Sequence, residues 1–323
     1  MRDGFGREIN YMRLSVTSRC NLRCRYCMPE PSPQGRPGEE LGDGELLAIC
    51  AQAVKLGITR FKLTGGEPLL RPGLAELAAQ LKALEGVEEV TLTTNGVLLA
   101  EQLDGLCRAG LDGVNVSLDA LDPQLYQAIT GRPGAAAKAM PALLAECVRR
   151  GLRTKVNAVL LEENLCQVAE LALLGRELPV DVRFIQLMPI GWGAKVQGVP
   201  PERALAILKE RWPDLHPVQE RRGNGPASYF ATEGLRGRVG LIAALSRRFC
   251  AQCNRVRLTS TGGFKPCLCY RERYELGLLL RGGAPGEALG QAMAQAILQK
   301  PWGHCFEKAD AVTEALTMDQ IGG

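Results

Sequence analysis

Histidine is nearly absent from this 323-residue chain, which holds only His216 and His304, so the sequence offers no basis for general-base chemistry on imidazole. His216, flanked by "DL" and "PV", reads as a surface loop residue. An excess of one charge is missing too: 39 Lys and Arg against 35 Asp and Glu leave a formal net charge of +4. So weak a whole-molecule field does not point to nucleic acid, and any anionic ligand has to be held by local basic residues. No apolar run approaches bilayer-spanning length, and a mean hydropathy of -0.04 describes an ordinary soluble composition, so no membrane role is expected. The opening "MRDGFGREIN" has neither an apolar h-region nor a small-residue cleavage site, so a cytoplasmic protein with reduced thiols is expected. No internal repeat of about 20 to 50 residues is evident. The Pro/Gly-rich "PEPSPQGRPG" (29–38) reads as a loop.

Cysteine, by contrast, is plentiful, with twelve residues. A disulfide framework belongs to small secreted chains, whereas this length suits one large domain of about 200 to 250 residues plus a smaller region. From Tyr11 to about Gly191, short β-rich runs alternate with stretches of helical period: "YMRLSVT", "RFKLT", "EVTLTT", "GVNVSLD", "RTKVNAVLL" and "DVRFIQLM" are the strand candidates. Six such repeats argue for parallel strands with crossover helices, in an open sheet or a barrel. Ligands gather just past the strand ends in either architecture. The pattern changes near 200–218, where strands without an intervening helix begin. Residues 1–210 and 211–323 are therefore expected to form two regions.

"SRCNLRCRYC" places Cys20, Cys24 and Cys27 at C-x3-C-x2-C directly after the first strand. Three thiolates on one short loop can converge on an inorganic core; a 4Fe-4S cluster with one open iron suits them, and a zinc site completed by a distant residue is the alternative. Near the other end, "FCAQCNRVRLTSTGGFKPC" supplies Cys250, Cys253 and Cys267 at C-x2-C-x13-C, with a Gly-Gly hairpin able to return Cys267 to the first pair. Cys269 makes zinc a formal alternative here as well, although in an extended "FKPCLC" it would stand about 6 to 7 Å from Cys267, awkward for one compact site. Cys50, Cys107, Cys147 and Cys166 fall in helical stretches and are expected in the core. Cys305 has no explanation.

C-x3-C-x2-C with Tyr26 before its last cysteine resembles the signature of the radical S-adenosylmethionine (SAM) superfamily. "TGGEP" (64–68), "TTNG" (93–96) and "NVSLD" (115–119), after or on successive strands, are similar to its SAM-binding motifs. The resemblance implies that Cys20, Cys24 and Cys27 hold a 4Fe-4S cluster that cleaves SAM to a 5'-deoxyadenosyl radical. It also implies that Tyr26, Gly66, Glu67, Thr93, Asn95, Ser117 and Met188 surround SAM. With the second triplet the resemblance narrows to the GTP 3',8-cyclase family of molybdenum cofactor biosynthesis, over nearly the whole chain. Its motifs here include "MRLSVTSRCN", "LTGGEPLLR", "KVNAVL", "RFIQLMPIG" and "GPASYF". In that family Cys250, Cys253 and Cys267 would hold a second 4Fe-4S cluster, to which the guanine of GTP binds.

Arg255 and Arg257 alternate after Cys253 and share one strand face. Arg13, Lys62, Lys155 and Arg183 lie inside otherwise apolar strands, where buried cations are costly without partners, so their convergence would make an anion pocket. With Arg60, the resemblance makes these the GTP-binding set, and it gives Arg183 and the terminal Gly322 and Gly323 a catalytic role. Ser18 stands where the family often has Asp. The fold implied is α/β, an incomplete (β/α)6 TIM-like barrel with a C-terminal α+β region carrying the second cluster. An external electron donor, a homodimer and hand-over to cyclic pyranopterin monophosphate synthase come with the resemblance.

Overall fold

The structure, a computed structural model, describes residues 1–30, 39–220, 222–308 and 311–322. Most of the loop expected at 29–38, and Gly323, lie outside the described residues. The first part of the chain alternates strands with helices: β1 (Tyr11–Ser15), α1 (Asp43–Lys55), β2 (Arg60–Thr64), α2 (Leu74–Ala83), β3 (Glu89–Thr94) and α3 (Leu99–Arg108). It continues with β4 (Gly113–Ser117), α4 (Pro123–Thr130), α5 (Ala135–Arg149), β5 (Arg153–Leu160), α6 (Val168–Ala172), β6 (Asp181–Gln186) and α7 (Pro201–Arg211). Then come β7 (His216–Val218), β8 (Ser228–Ala231), β9 (Val239–Ile242), β10 (Arg255–Leu258), β11 (Gly263–Lys265) and β12 (Tyr274–Glu275). The chain ends with α8 (Leu276–Arg281), α9 (Gly286–Leu298) and α10 (Met318–Ile321).

Among the described residues these strands form one sheet in the order β12-β11-β10-β1-β2-β3-β4-β5-β6-β9-β8-β7. Every neighbour from β10 through β1 to β6 and β9 is parallel, and the outer pairs are antiparallel. The fold is α/β with a mostly parallel sheet, and the late strands β9 and β10 extend its parallel part at both edges.

Strand alternation explains what each face does. In β1, Met12 and Leu14 enter the hydrophobic core while Tyr11 and Arg13 face a cavity. The same split runs through Phe61 and Leu63 against Lys62 and Thr64, Val90 and Leu92 against Thr91 and Thr93, and Val114 and Val116 against Asn115 and Ser117. β5, β6 and β10 repeat it, with Asn157, Arg183 and Arg257 facing the cavity. Helices cover the apolar face: α1 buries Leu46, Ile49, Cys50 and Ala53 on one stripe, and each Leu or Ile stabilises by about 1.5–3 kcal/mol. The other face, unusually polar for a sheet interior, is kept for the site.

Two expectations fail locally. His216 opens the short strand β7, where it pairs with Ala231, though it is exposed as expected of a surface residue. Cys166 is exposed on the 3-10 turn Glu162–Gln167 instead of sitting in the core, because the α-helix there, whose buried residues are Val168, Leu171 and Ala172, begins only after it. Cys50 and Cys147 are buried, and Cys107 is half-buried.

Candidate active site

A cavity of about 370 Å³ is lined by residues of β1 to β6, β9 and β10 together with both cysteine triplets, within the size range of small-molecule sites. Cys20, Cys24 and Cys27 stand on the loop after β1. The turn closes through the Cys27 and Met28 amides donating to the Cys24 carbonyl, each at 2.9 Å. Arg23 and Arg25 amides donate to the Thr130 and Ile129 carbonyls at the end of α4, which fixes the loop on the scaffold.

The paired glycines of "TGGEP" serve this loop. A Cβ on Gly65 would lie 2.2 Å from the Thr17 carbonyl oxygen, and one on Gly66 would lie 2.3 Å from that of Arg19. The bare backbone therefore lets β2 dock on the thiol loop, with Gly66 N–H donating to Thr17 O at 2.8 Å and Glu67 N–H to Arg19 O at 2.7 Å. Buried Glu67 accepts from the Thr94 hydroxyl and the Asn95 amide, both at 2.7 Å, and from the Leu69 amide. It ties two motifs together, and burial pushes its carboxyl up to about 7 despite those donors. The Asn95 side chain donates to Asn21 Oδ1 on the thiol loop at 2.7 Å. Thr17 and Ser18 both donate to Glu40 Oε1, so a neighbouring carboxylate serves the loop where the family often has Asp at 18.

Tyr26, Gly66, Glu67, Thr93, Asn95, Ser117 and Met188 all line the cavity. The Tyr26 hydroxyl donates to Asp119 Oδ2 at 2.6 Å, and Asp119 Oδ1 accepts the Val159 amide at 2.7 Å. Asp119 was not singled out from the sequence, although it closes the "NVSLD" motif; burial raises its carboxyl to about 6.

The cations meet on the same face. Across the sheet Arg257, Arg13 and Lys62 are register neighbours, and Lys155 and Arg183 line the cavity with them. Burial, then Arg183, Arg13 and Lys155, lower the Lys62 ammonium far below its ordinary value. Burial followed by Arg183 brings Lys155 to about 8, and burial followed by Arg13 and Arg255 brings Arg257 to about 9. Asp181, 3.6 Å from Lys155, and Glu89 are carboxylates at that end, too few to neutralise the set. Arg60 does not join it: as the first residue of β2 it stays outside the cavity and ion-pairs with Glu88 at 3.0 Å.

Cys250, Cys253 and Cys267 line the cavity from the other side, carried by the 3-10 turn Arg247–Gln252 and the β10–β11 hairpin. Arg255 lies beside Cys253; burial opposes ionisation of that thiol, but Arg255 and Lys300 outweigh it and bring it to about 6. Buried Cys269 makes a thiol contact of 2.9 Å with Cys305, which gives a partner to the two cysteines that neither the triplets nor the helical stretches account for. At the C-terminus, Arg257 donates to the Gly322 carbonyl. Gly322 has φ +91°, and a Cβ there would come 2.9 Å from Ser15 Cβ, so glycine is required for the tail to reach this point.

A mononuclear zinc site needs four donors converging on one atom. Among the described residues no three His, Cys, Asp or Glu side chains are grouped to hold a metal ion. A sulfur-bridged cluster instead ties each thiolate to a separate iron, so its ligands need not converge on one atom. Burial raises Cys20 to about 11 and pushes Cys24 and Cys27 well up too, so a bound metal would supply the positive charge that ionises them. Buried Thr93 Oγ1, Asn157 Oδ1 and Arg183 Nε line the cavity without hydrogen-bond partners, which fits a polar ligand there.

Comparison with known proteins agrees. Residues 14–175 match the radical SAM superfamily and residues 180–306 match the family described as Molybdenum Cofactor Synthesis C. The GTP 3',8-cyclase of Clostridium perfringens (strain 13 / Type A) is 38% identical over 325 residues, and that of Heliobacterium modesticaldum is 41% identical over 330, each alignment covering 100% of both chains. Among solved structures, Streptococcus suis SuiB bound to S-adenosylmethionine matches with a TM-score of 0.66 at 14% identity, covering 97% of this chain and 78% of that one, a likeness of fold. No described helix is long and apolar enough to cross a membrane. The chain belongs to the radical SAM superfamily and, within it, to the family of the GTP 3',8-cyclases.

Proposed function

We propose that the chain converts GTP to (8S)-3',8-cyclo-7,8-dihydroguanosine 5'-triphosphate, the first step of molybdopterin biosynthesis: GTP loses the C3' hydrogen atom, C3' then bonds to C8 of the same guanine, and the resulting nucleotide radical takes up one electron from an external donor and one proton. One observation carries the reading. Two thiol triplets more than 220 residues apart in sequence open onto one cavity that also holds a row of buried cations.

Cys20, Cys24 and Cys27 would hold a 4Fe-4S cluster that, with S-adenosylmethionine and an electron, supplies hydrogen-atom abstraction through an adenosyl radical. Cys250, Cys253 and Cys267 would hold a second one, offering an open iron to the guanine. Tyr26, Thr93, Ser117 and Met188 would line the SAM end, with Glu67 and Asn95 holding the motif loops against the thiol loop. Arg13, Lys62, Lys155, Arg255 and Arg257 would bind the triphosphate, with arginine suited to it by its planar fork. Arg183, whose Nε has no partner, would sit nearest the reacting ribose. The walls of the cavity would keep water from the substrate radical.

We also propose that β1 to β6, residues of which line one cavity, form an incomplete (β/α)6 barrel. Residues 1–210 would form it, and residues 211–323 would close its mouth and carry the second triplet. Cytoplasmic location, homodimerisation, an external one-electron donor and hand-over to cyclic pyranopterin monophosphate synthase follow from the same family reading.

The test is one anaerobic incubation of iron-reconstituted protein with GTP, SAM and a reductant. Equal yields of 5'-deoxyadenosine and the cyclised nucleotide are expected, and none of the latter with GTP omitted. Deoxyadenosine without a cyclised product would overturn the proposal.

A further inference from the structure

We propose that Arg7 and Lys300 are positioning residues for the second thiol triplet. They are two buried cations that fix the backbone arms on which Cys250, Cys253 and Cys267 stand. The inference rests on the reading of that triplet as the seat of a 4Fe-4S cluster.

The triplet is assembled from two arms. Cys250 and Cys253 share a turn closed by Cys253 N–H donating to Cys250 O at 3.1 Å, while Cys267 arrives only after β11. Lys300, buried just past α9, joins them: its Nζ donates to the Arg255 carbonyl at 2.9 Å and to the Pro266 carbonyl. One acceptor lies two residues after Cys253 and the other immediately before Cys267. Burying an ammonium group is costly unless it is hydrogen-bonded, and here it bonds main chain from both arms. Lys300 also lines the cavity beside the thiols.

Arg7 adds a second hold on the first arm, at Cys250 itself. One terminal nitrogen donates to the Cys250 carbonyl at 2.8 Å and to Trp302 O at 2.7 Å, the other donates to Pro301 O at 2.7 Å, and Nε pairs with Asp3 at 2.6 Å. Lys300, Pro301 and Trp302 thus form a short strap that receives Arg7 through its carbonyls and grips the hairpin through its lysine. The arrangement also accounts for two large exposed aromatics. Phe5 and Trp302, each about half exposed, stand 5.4 and 5.9 Å from the Arg7 guanidinium and cover it from solvent.

Partners that hold metal ligands from outside the ligand set typically change metal retention by about 10- to 100-fold when removed. The full-length Cys20→Ala/Cys24→Ala/Cys27→Ala chain isolates the second triplet. It should take up about four iron on anaerobic reconstitution; failure at this stage would overturn the reading of the triplet, separately from the proposal. Adding Lys300→Met should speed iron release to a ferrous chelator at least about tenfold, with Lys300→Arg restoring most of the retention. The melting temperature before reconstitution should stay within a few degrees of the parent. Arg7→Gln should behave as Lys300→Met does. Iron release unchanged from the parent would overturn the proposal. So would an apo chain that no longer folds, because the lysine would then serve the fold and not the triplet.

Discussion

Replacing Lys155 by methionine should make the empty protein more stable and the nucleotide complex weaker. The ammonium is taken from its ordinary 10.5 to about 8 by burial first and then by Arg183. A difference of some 2.5 pH units corresponds to roughly 3 kcal/mol of penalty near pH 7, where the group is still charged in both states. The substitution also removes the bond from Lys155 Nζ to the Arg222 carbonyl, a loss of about 1 kcal/mol. Asp181 is not stranded, because Arg222 Nε donates to both of its oxygens at 3.0 Å. The net gain is about 2 kcal/mol, which for a chain of this length is about 3 °C in melting temperature.

The gain depends on pH. A lysine whose folded value is depressed costs stability while it is charged, and that cost fades as pH rises from about 8 towards 10.5. Wild type should therefore gain on Lys155→Met across that interval. Loss of one charge-assisted phosphate contact, about 1.5–3 kcal/mol, should weaken GTP and inorganic triphosphate about 10- to 100-fold. Thermal melts with and without each ligand, together with calorimetric titration, measure both effects. A variant less stable than wild type with unaltered triphosphate affinity would refute the anion-pocket reasoning.

Cys24→Ala should abolish SAM cleavage, whereas Cys253→Ala should retain some deoxyadenosine formation and lose the cyclised nucleotide; product chromatography and iron content, falling from about eight to about four per chain in each variant, decide this. Gly322→Ala must place a Cβ 2.9 Å from Ser15 Cβ at positive φ, so turnover should fall about 5- to 30-fold, by the roughly 1–2 kcal/mol of strain, while the melting temperature falls by no more than about 3 °C. One residue added after Gly323 should impair turnover similarly. Asp119→Asn keeps the shape but weakens the hold on the Tyr26 hydroxyl; the affinity for SAM should drop about threefold to tenfold, read by titration.

Much of this was legible from the sequence because the signals are local. Alternation within "YMRLS" and "RFKLT" already places Arg13 and Lys62 opposite the core-facing residues, and the folded register sets them side by side. Cysteine spacing marks both triplets for the same reason. What stayed hidden depends on distant partners. Arg7 and Cys250 are 243 positions apart, and Cys269 and Cys305 are 36 apart; no spacing rule links such pairs. "TGGEP" reads as a ligand-approach motif, yet its glycines are explained by the backbone of residues 17–19 packed on them. Arg60 follows the alternation of β2 but lies at its first residue, where Glu88 reaches it before the cavity does. Asp119 could have been found, since it completes a motif already recognised.

The central claim is that one thiol triplet serves a radical directed at a nucleotide held by the other. GTP deuterated at C3' tests it most directly, with mass spectrometry of the 5'-deoxyadenosine produced. Deuterium in the deoxyadenosine, in step with formation of the cyclised nucleotide, is predicted. Unlabelled deoxyadenosine alongside a cyclised product, or labelled GTP recovered unchanged while SAM is consumed, would contradict it.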